Sequence, residues 1–110
     1  MTSSSMPEGT VLGPIGDEVI FENEIIRVWR LELPPGGIQG WHRHDHPYLI
    51  VPMTEGTNIM RFSDGRVRNT QEKPGEVLWR EPGIPHELEN AGKANYGNVL
   101  IEFKQAPVKV

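Results

Sequence analysis

The side chains best suited to chemistry near neutral pH are the four histidines, and they sit in two places. His42, His44 and His46 fall within residues 36–48, GGIQGWHRHDHPY. His86 falls within residues 75–90, GEVLWREPGIPHELEN. On a strand, residues i and i+2 point to one face, so His42 and His44 can address a single metal ion. A third ligand must then come from another strand, and His86 is the only histidine outside the first cluster. Three neutral imidazoles with open positions are a common catalytic arrangement for a borderline divalent metal. The competing reading is a hydrated loop between Trp41 and Pro47. The β pattern around the cluster, and the place of His86 at the head of an alternating strand, favour the metal.

Bringing the two places together requires a β framework. Residues 25–33 (IIRVWRLEL) are rich in β-branched and aromatic types and stop at Pro34-Pro35-Gly36-Gly37. Apolar residues occur there at both parities, which suits a strand covered on both sides. Further strands are expected over residues 18–21, 48–53, 58–62, 66–72, 76–80, 86–90 and 96–104. Asp64-Gly65 marks a hairpin, because this dipeptide tolerates positive φ. Val77 and Trp79 are expected on one face, and Trp29, Trp41 and Trp79 are read as core or pocket wall. In 86–90, His86, Leu88 and Asn90 face one way and Glu87 and Glu89 the other. In the last strand, Val99, Ile101 and Phe103 alternate with Asn98, Glu102 and Lys104. Gly36, Gly37, Gly56, Gly75 and Gly83 are read as turn residues with unusual φ. No helix is convincing. Short strands every ten residues or so predict an all-β sandwich or barrel. Residues 1–10, small, polar and aperiodic, are expected to be a mobile tail before one domain over 11–110.

Composition narrows the function classes. A chain of 110 residues suits one domain. Its apolar share of 36% is low for a globular protein, so a small core is expected to lean on an oligomer partner. The net charge is −4 and no basic run is present, which disfavours nucleic-acid binding. No apolar stretch approaches the ~20 residues that span a bilayer, so no membrane role is expected. The N-terminus lacks the pattern of a signal peptide. Cysteine is absent, which rules out disulfides and thiolate ligands and fits a cytoplasmic protein.

The chain also resembles the cupins, small β-barrels of jelly-roll type. Their first motif is G-x5-H-x-H-x3/4-E-x6-G, and Gly36, His42, His44 and Gly56 occupy its places. Their second is G-x5-P-x-G-x2-H-x3-N, which Gly75, Gly83, His86 and Asn90 fit. More narrowly, WHRHDHPYLIVPMTEG is similar to small single-domain cupins of β-alanine degradation. The resemblance implies a single-domain cupin (double-stranded β-helix, jelly-roll) barrel and a homodimer. It also implies one divalent ion, such as Fe, Zn, Ni or Mn, held by His42, His44 and His86.

Two places depart from the cupin pattern. Glu81 stands in the Pro slot of the second motif, beside Pro82. The Glu of the first motif is absent; its slot holds Tyr48 or Leu49, depending on the spacer. Three neutral ligands leave the ion's charge uncompensated, so the site should favour an anionic small-molecule ligand such as a carboxylate. His46 is open between fourth ligand, outer partner and surface residue. Tyr48 is open between a catalytic phenol donor beside the metal and a core tyrosine. Asn90 is read as a hydrogen bonder, not a ligand. Arg27, Arg30, Arg61 and Arg80 can each anchor a carboxylate. The function expected is a metal-dependent cupin acting on or binding a small organic acid, by dioxygenase-like or Lewis-acid chemistry. The alternative is a non-catalytic binding module, since one barrel hosts many functions.

Overall fold

The computed structural model describes residues 6–105. The tail expected over residues 1–10 therefore lies half outside the described residues, as does the end of the expected domain. Within its described part, Thr10 donates to the Pro7 carbonyl from both its amide (3.3 Å) and its hydroxyl (2.6 Å).

Nine strands and no helix occur among the described residues. They are β1 Glu18–Glu22, β2 Ile26–Leu33, β3 Ile38–His42, β4 Tyr48–Pro52, β5 Gly56–Phe62, β6 Val67–Glu72, β7 Leu78–Arg80, β8 His86–Asn90 and β9 Tyr96–Phe103. Five of them form one sheet in the order β1-β2-β9-β4-β7, and four form a second in the order β3-β8-β5-β6. Every pairing is antiparallel. Successive strands cross repeatedly between the sheets, as in the double-stranded β-helix.

The sheets meet through inward side chains. Leu31, Leu33 and Tyr96 of the larger sheet pack against Met60 and Leu88 of the smaller. A second cluster, Tyr48, Ile50 and Leu100, is flanked by Ile15, Trp29 and Leu78. Burying each such side chain contributes about 1.5–3 kcal/mol, so this thin core is the main cohesive term.

Inward direction follows partners rather than hydropathy in β9. Tyr96, Asn98, Leu100 and Glu102 are buried, while Val99, Ile101 and Phe103 are only half-buried. The buried polar groups are tied to one another and to other strands. Asn98 Nδ2 donates to the Tyr96 hydroxyl (2.8 Å), and that hydroxyl donates to Glu72. Thr70 also donates to Glu72 (3.1 Å). At the other end of β9, Glu102 accepts from Trp29 Nε1 (3.0 Å) and Arg27 (3.4 Å). Such networks make a polar parity tolerable inside a barrel.

Three expectations change. Trp79 points outward and is 50% exposed, because its neighbours Leu78 and Arg80 take the inward parity of a three-residue strand. Gly36 and Gly75 have the positive φ expected of turn glycines, at 76° and 94°, but Gly37, Gly56 and Gly83 do not. Gly56 serves a different need: a Cβ there would lie 2.4 Å from Tyr96 Cδ1, so the ring packs on bare backbone. Finally, the strand in the histidine stretch, β3, ends at His42 and does not extend to His44.

Candidate metal centre

Strand β3 lies beside β8 in the smaller sheet, and this pairing joins the two histidine stretches. His42 is the direct cross-strand partner of His86. The register slips on the way: Gln39 faces Leu88, so three steps along β3 match two along β8. That is a β-bulge at Gly40 and Trp41. In a regular strand His42 would share the face opposite Gln39 and point away from the core. The extra residue turns it inward, where it is 2% exposed.

His44 arrives differently. It lies beyond the end of β3, in the connection to β4, so the expected i, i+2 strand geometry does not hold. Its ring is instead fixed by Tyr48 at the start of β4, in the opposite sheet. The two rings stack with centroids 3.8 Å apart and planes 15° apart. His44 is 5% exposed and His86 is 6% exposed.

The three imidazoles converge. Ring centroids are 4.5 Å apart for His42 and His86, and 5.1 Å for His44 with either. One ring nitrogen from each lies within 4.8 Å of the others, a grouping that could hold a metal ion. The chemistry of the donors fits. His42 Nδ1 lies 2.7 Å from the Gly40 carbonyl, made available by the bulge. Donation there places the proton on Nδ1 and leaves the Nε2 lone pair free, the usual outer-partner arrangement of a metal-binding histidine. His44 Nδ1 is buried without a hydrogen-bond partner, a costly state that a metal would relieve.

Burial also keeps the rings neutral. It pushes His44 down to about 2, with His42 and His86 adding to the effect. It pushes His86 down to about 3, with His42 and Arg68 adding. His42 is lowered by burial and partly restored by its bond to Gly40. Neutral imidazole is the form that binds metals.

His46 is not brought to this cluster. Its side chain is 38% exposed, and Nε2 lies 4.0 Å from Glu102 Oε2. Pro47 and the turn into β4 carry it to the strand edge. Tyr48 is 3% exposed and lies against His44, so the packing and site readings of this residue coincide. Burial raises its phenol to about 12, against the opposing pull of Arg80 and Arg68, so it stays protonated at neutral pH. The carboxylate missing from the first motif is not replaced at the cluster. Glu102, the cross-strand partner of Tyr48, is turned to Trp29, Arg27 and His46. Asn90 is fully buried and ties the barrel end, donating to the Leu33 and Ala94 carbonyls.

A cavity of about 320 Å³ opens on the cluster, walled by His44, His86 and Tyr48 and rimmed by Arg66, Arg68 and Arg80. Of the arginines singled out in the sequence only Arg80 reaches it. Arg27 binds Glu22 and Glu102, Arg30 binds Glu18, and Arg61 binds Glu87 and Glu89. Arg66 and Arg68 were missed; the inward parity of Arg68, opposite Met60, is the signal that could have found it.

The chain is similar to known proteins. Residues 36–106 match the family described as the AraC-like ligand binding domain. The chain is 36% identical over 80 residues to the beta-alanine degradation protein BauB of Pseudomonas aeruginosa, covering 73% of this chain and 81% of that one. It is 31% identical over 74 residues to the oxalate-binding protein of Thermotoga maritima, covering 67% of this chain and 54% of that one. The crystal structure of a cupin domain from Bordetella pertussis aligns with a TM-score of 0.74 at 34% identity, covering 80% of this chain and 91% of that one. With both histidine motifs, the nine-stranded fold and these matches in agreement, the chain belongs to the AraC-like ligand-binding domain family and is a small cupin similar to BauB.

Proposed function

We propose that this cupin binds one divalent metal ion through His42, His44 and His86 and uses its open side to bind a small organic acid. The observation that carries the reading is the convergence of three buried, neutral imidazoles, one with a buried nitrogen lacking a partner. A bound ion would supply Lewis acidity, or a centre for oxygen chemistry if it were iron. Three neutral ligands leave its charge uncompensated, which favours an anion. The oxalate-binding relative supports a carboxylate as that anion. Tyr48, protonated at neutral pH, acts as a hydrogen-bond donor to the bound acid and not as a base.

Elemental analysis of protein purified without chelator tests the metal. The expected result is close to one equivalent of Fe, Zn, Ni or Mn. Absence of stoichiometric metal, with no thermal shift on adding divalent ions, would end the proposal. Catalysis is the second reading, and it is favoured by the walled cavity beside the cluster. Oxygen uptake or turnover of the iron-loaded protein with a carboxylic acid would select it; tight binding without turnover selects a binding module.

We also propose a homodimer in the cytoplasm. Supporting the dimer, an apolar row crosses the outer face of the larger sheet. Phe21 pairs with Val28, Val28 with Ile101, Ile101 with Leu49 and Leu49 with Trp79. Phe21 and Trp79, at its ends, are 54% and 50% exposed. Such rows mark interaction surfaces. Light scattering should give twice the chain mass, and Ile101→Lys should halve it.

A further inference from the structure

The rim of the cavity holds more positive charge than the barrel needs. Arg66 is ion-paired with Asp64 (2.7 Å). Arg68 and Arg80 are different: among the described residues neither forms an ion pair. Arg80 enters from β7, as the cross-strand partner of Tyr48. It donates to the Trp79 carbonyl (3.2 Å), but its Nε is buried with no hydrogen-bond partner. Arg68 enters from β6, in the opposite sheet, as the partner of buried Met60. Its guanidinium lies over the Phe62 ring, 5.3 Å from the centroid, which orients it at the rim. Phe62 in turn packs edge-on against His86, with centroids 5.6 Å apart. The one carboxylate at the rim, Glu81, accepts a hydrogen bond from Trp79 Nε1.

Two guanidiniums without an ion pair thus line one cavity from opposite sheets, with His44 and His86 of the cluster at its wall. Tyr48 lines the same cavity. A divalent ion and one carboxylate would still leave these two charges unmatched. Guanidinium is the group best suited to a planar carboxylate, by forked hydrogen bonds.

We propose that the ligand is a small dicarboxylate, one carboxylate at the histidine cluster and the other held by Arg68 and Arg80. This rests on the metal-and-acid reading above and adds the second anchor. The two arginines set ligand class: they favour acids with a second carboxylate, since an acid with only one leaves the buried Arg80 Nε without a partner.

The test is calorimetry on zinc-loaded protein with malonate and succinate, beside propionate and butyrate as matched monocarboxylates. The better dicarboxylate should bind about tenfold to a hundredfold tighter than its match. Arg68→Gln and Arg80→Gln should each remove most of that preference, lowering dicarboxylate affinity far more than monocarboxylate affinity. Arg68 is exposed, so its variant should keep the wild-type Tm and the test does not depend on Arg80→Gln folding. Equal binding of mono- and dicarboxylates, or a preference unchanged in Arg68→Gln, would overturn the second anchor and leave the first reading standing. If no carboxylate binds the loaded protein, both fall.

Discussion

The imidazole of His44 lies flat on the phenol ring of Tyr48, 3.8 Å between centroids, across the gap between the two sheets. No strand holds His44, so this stacking is what fixes its ring. Tyr48→Phe should keep the stack and leave metal affinity within about threefold. Tyr48→Ala should lower it by about tenfold or more, the usual scale for losing the partner that orients a ligand. Metal titration with a competing chelator measures both. If Phe and Ala lose affinity equally, the hydroxyl and not the ring holds His44.

His42 and His86 face each other in the sheet register. His86→Ala should therefore reduce metal occupancy as much as His42→Ala does, each to under about a tenth. His46→Ala should keep wild-type occupancy, since its ring is turned to Glu102. Elemental analysis of the three variants decides the matter. Full occupancy in His86→Ala would show that the two motifs do not meet at one ion.

Burial holds the folded pKa of His44 near 2 and of His86 near 3, and lowers His42. The unfolded chain takes up these protons near pH 6.5 while the folded chain does not. Where the unfolded state binds more protons, stability rises with pH. Metal-free protein should thus be fully stable above about pH 6.5 and lose stability as pH falls toward the folded values. A slope on the order of 1–4 kcal/mol per pH unit follows from up to three histidines. Urea midpoints at pH 7 and pH 5.5, above most carboxylate titration, measure it. An unchanged midpoint would mean that the rings accept protons within the fold.

Tyr96 donates to Glu72 and accepts from Asn98, both buried. Tyr96→Phe leaves Asn98 Nδ2 without its acceptor and Glu72 with one donor fewer, and opens no large cavity. It should cost about 1–3 kcal/mol of unfolding free energy and leave metal binding intact. Denaturant unfolding and a metal titration on the same sample separate the two effects. A loss below about 0.5 kcal/mol would indicate that Glu72 and Asn98 find other partners.

Much of the site was legible in the chain, and the reason is local. Which side chains can serve as metal ligands is a property of residue type, and no cysteine, and no other histidine beyond His46, competes with His42, His44 and His86. Strand positions followed from β-branched runs between Pro and Gly. The alternation of His86, Leu88 and Asn90 also held, because a regular strand has a fixed period.

Where the period breaks, tertiary structure decided. The bulge at Gly40 and Trp41 turns His42 inward, and nothing in the order of residue types announces one extra residue in a ladder. His44 is placed by a ring from the other sheet, and Arg68 and Arg80 meet only because β6 and β7 lie on opposite walls. In β9 the polar parity went inward because Glu72, Trp29 and Arg27, all distant in sequence, supply its hydrogen bonds. Residue type determined which groups can bind a metal and an acid. Pairing between strands far apart in the chain determined which of them share one cavity.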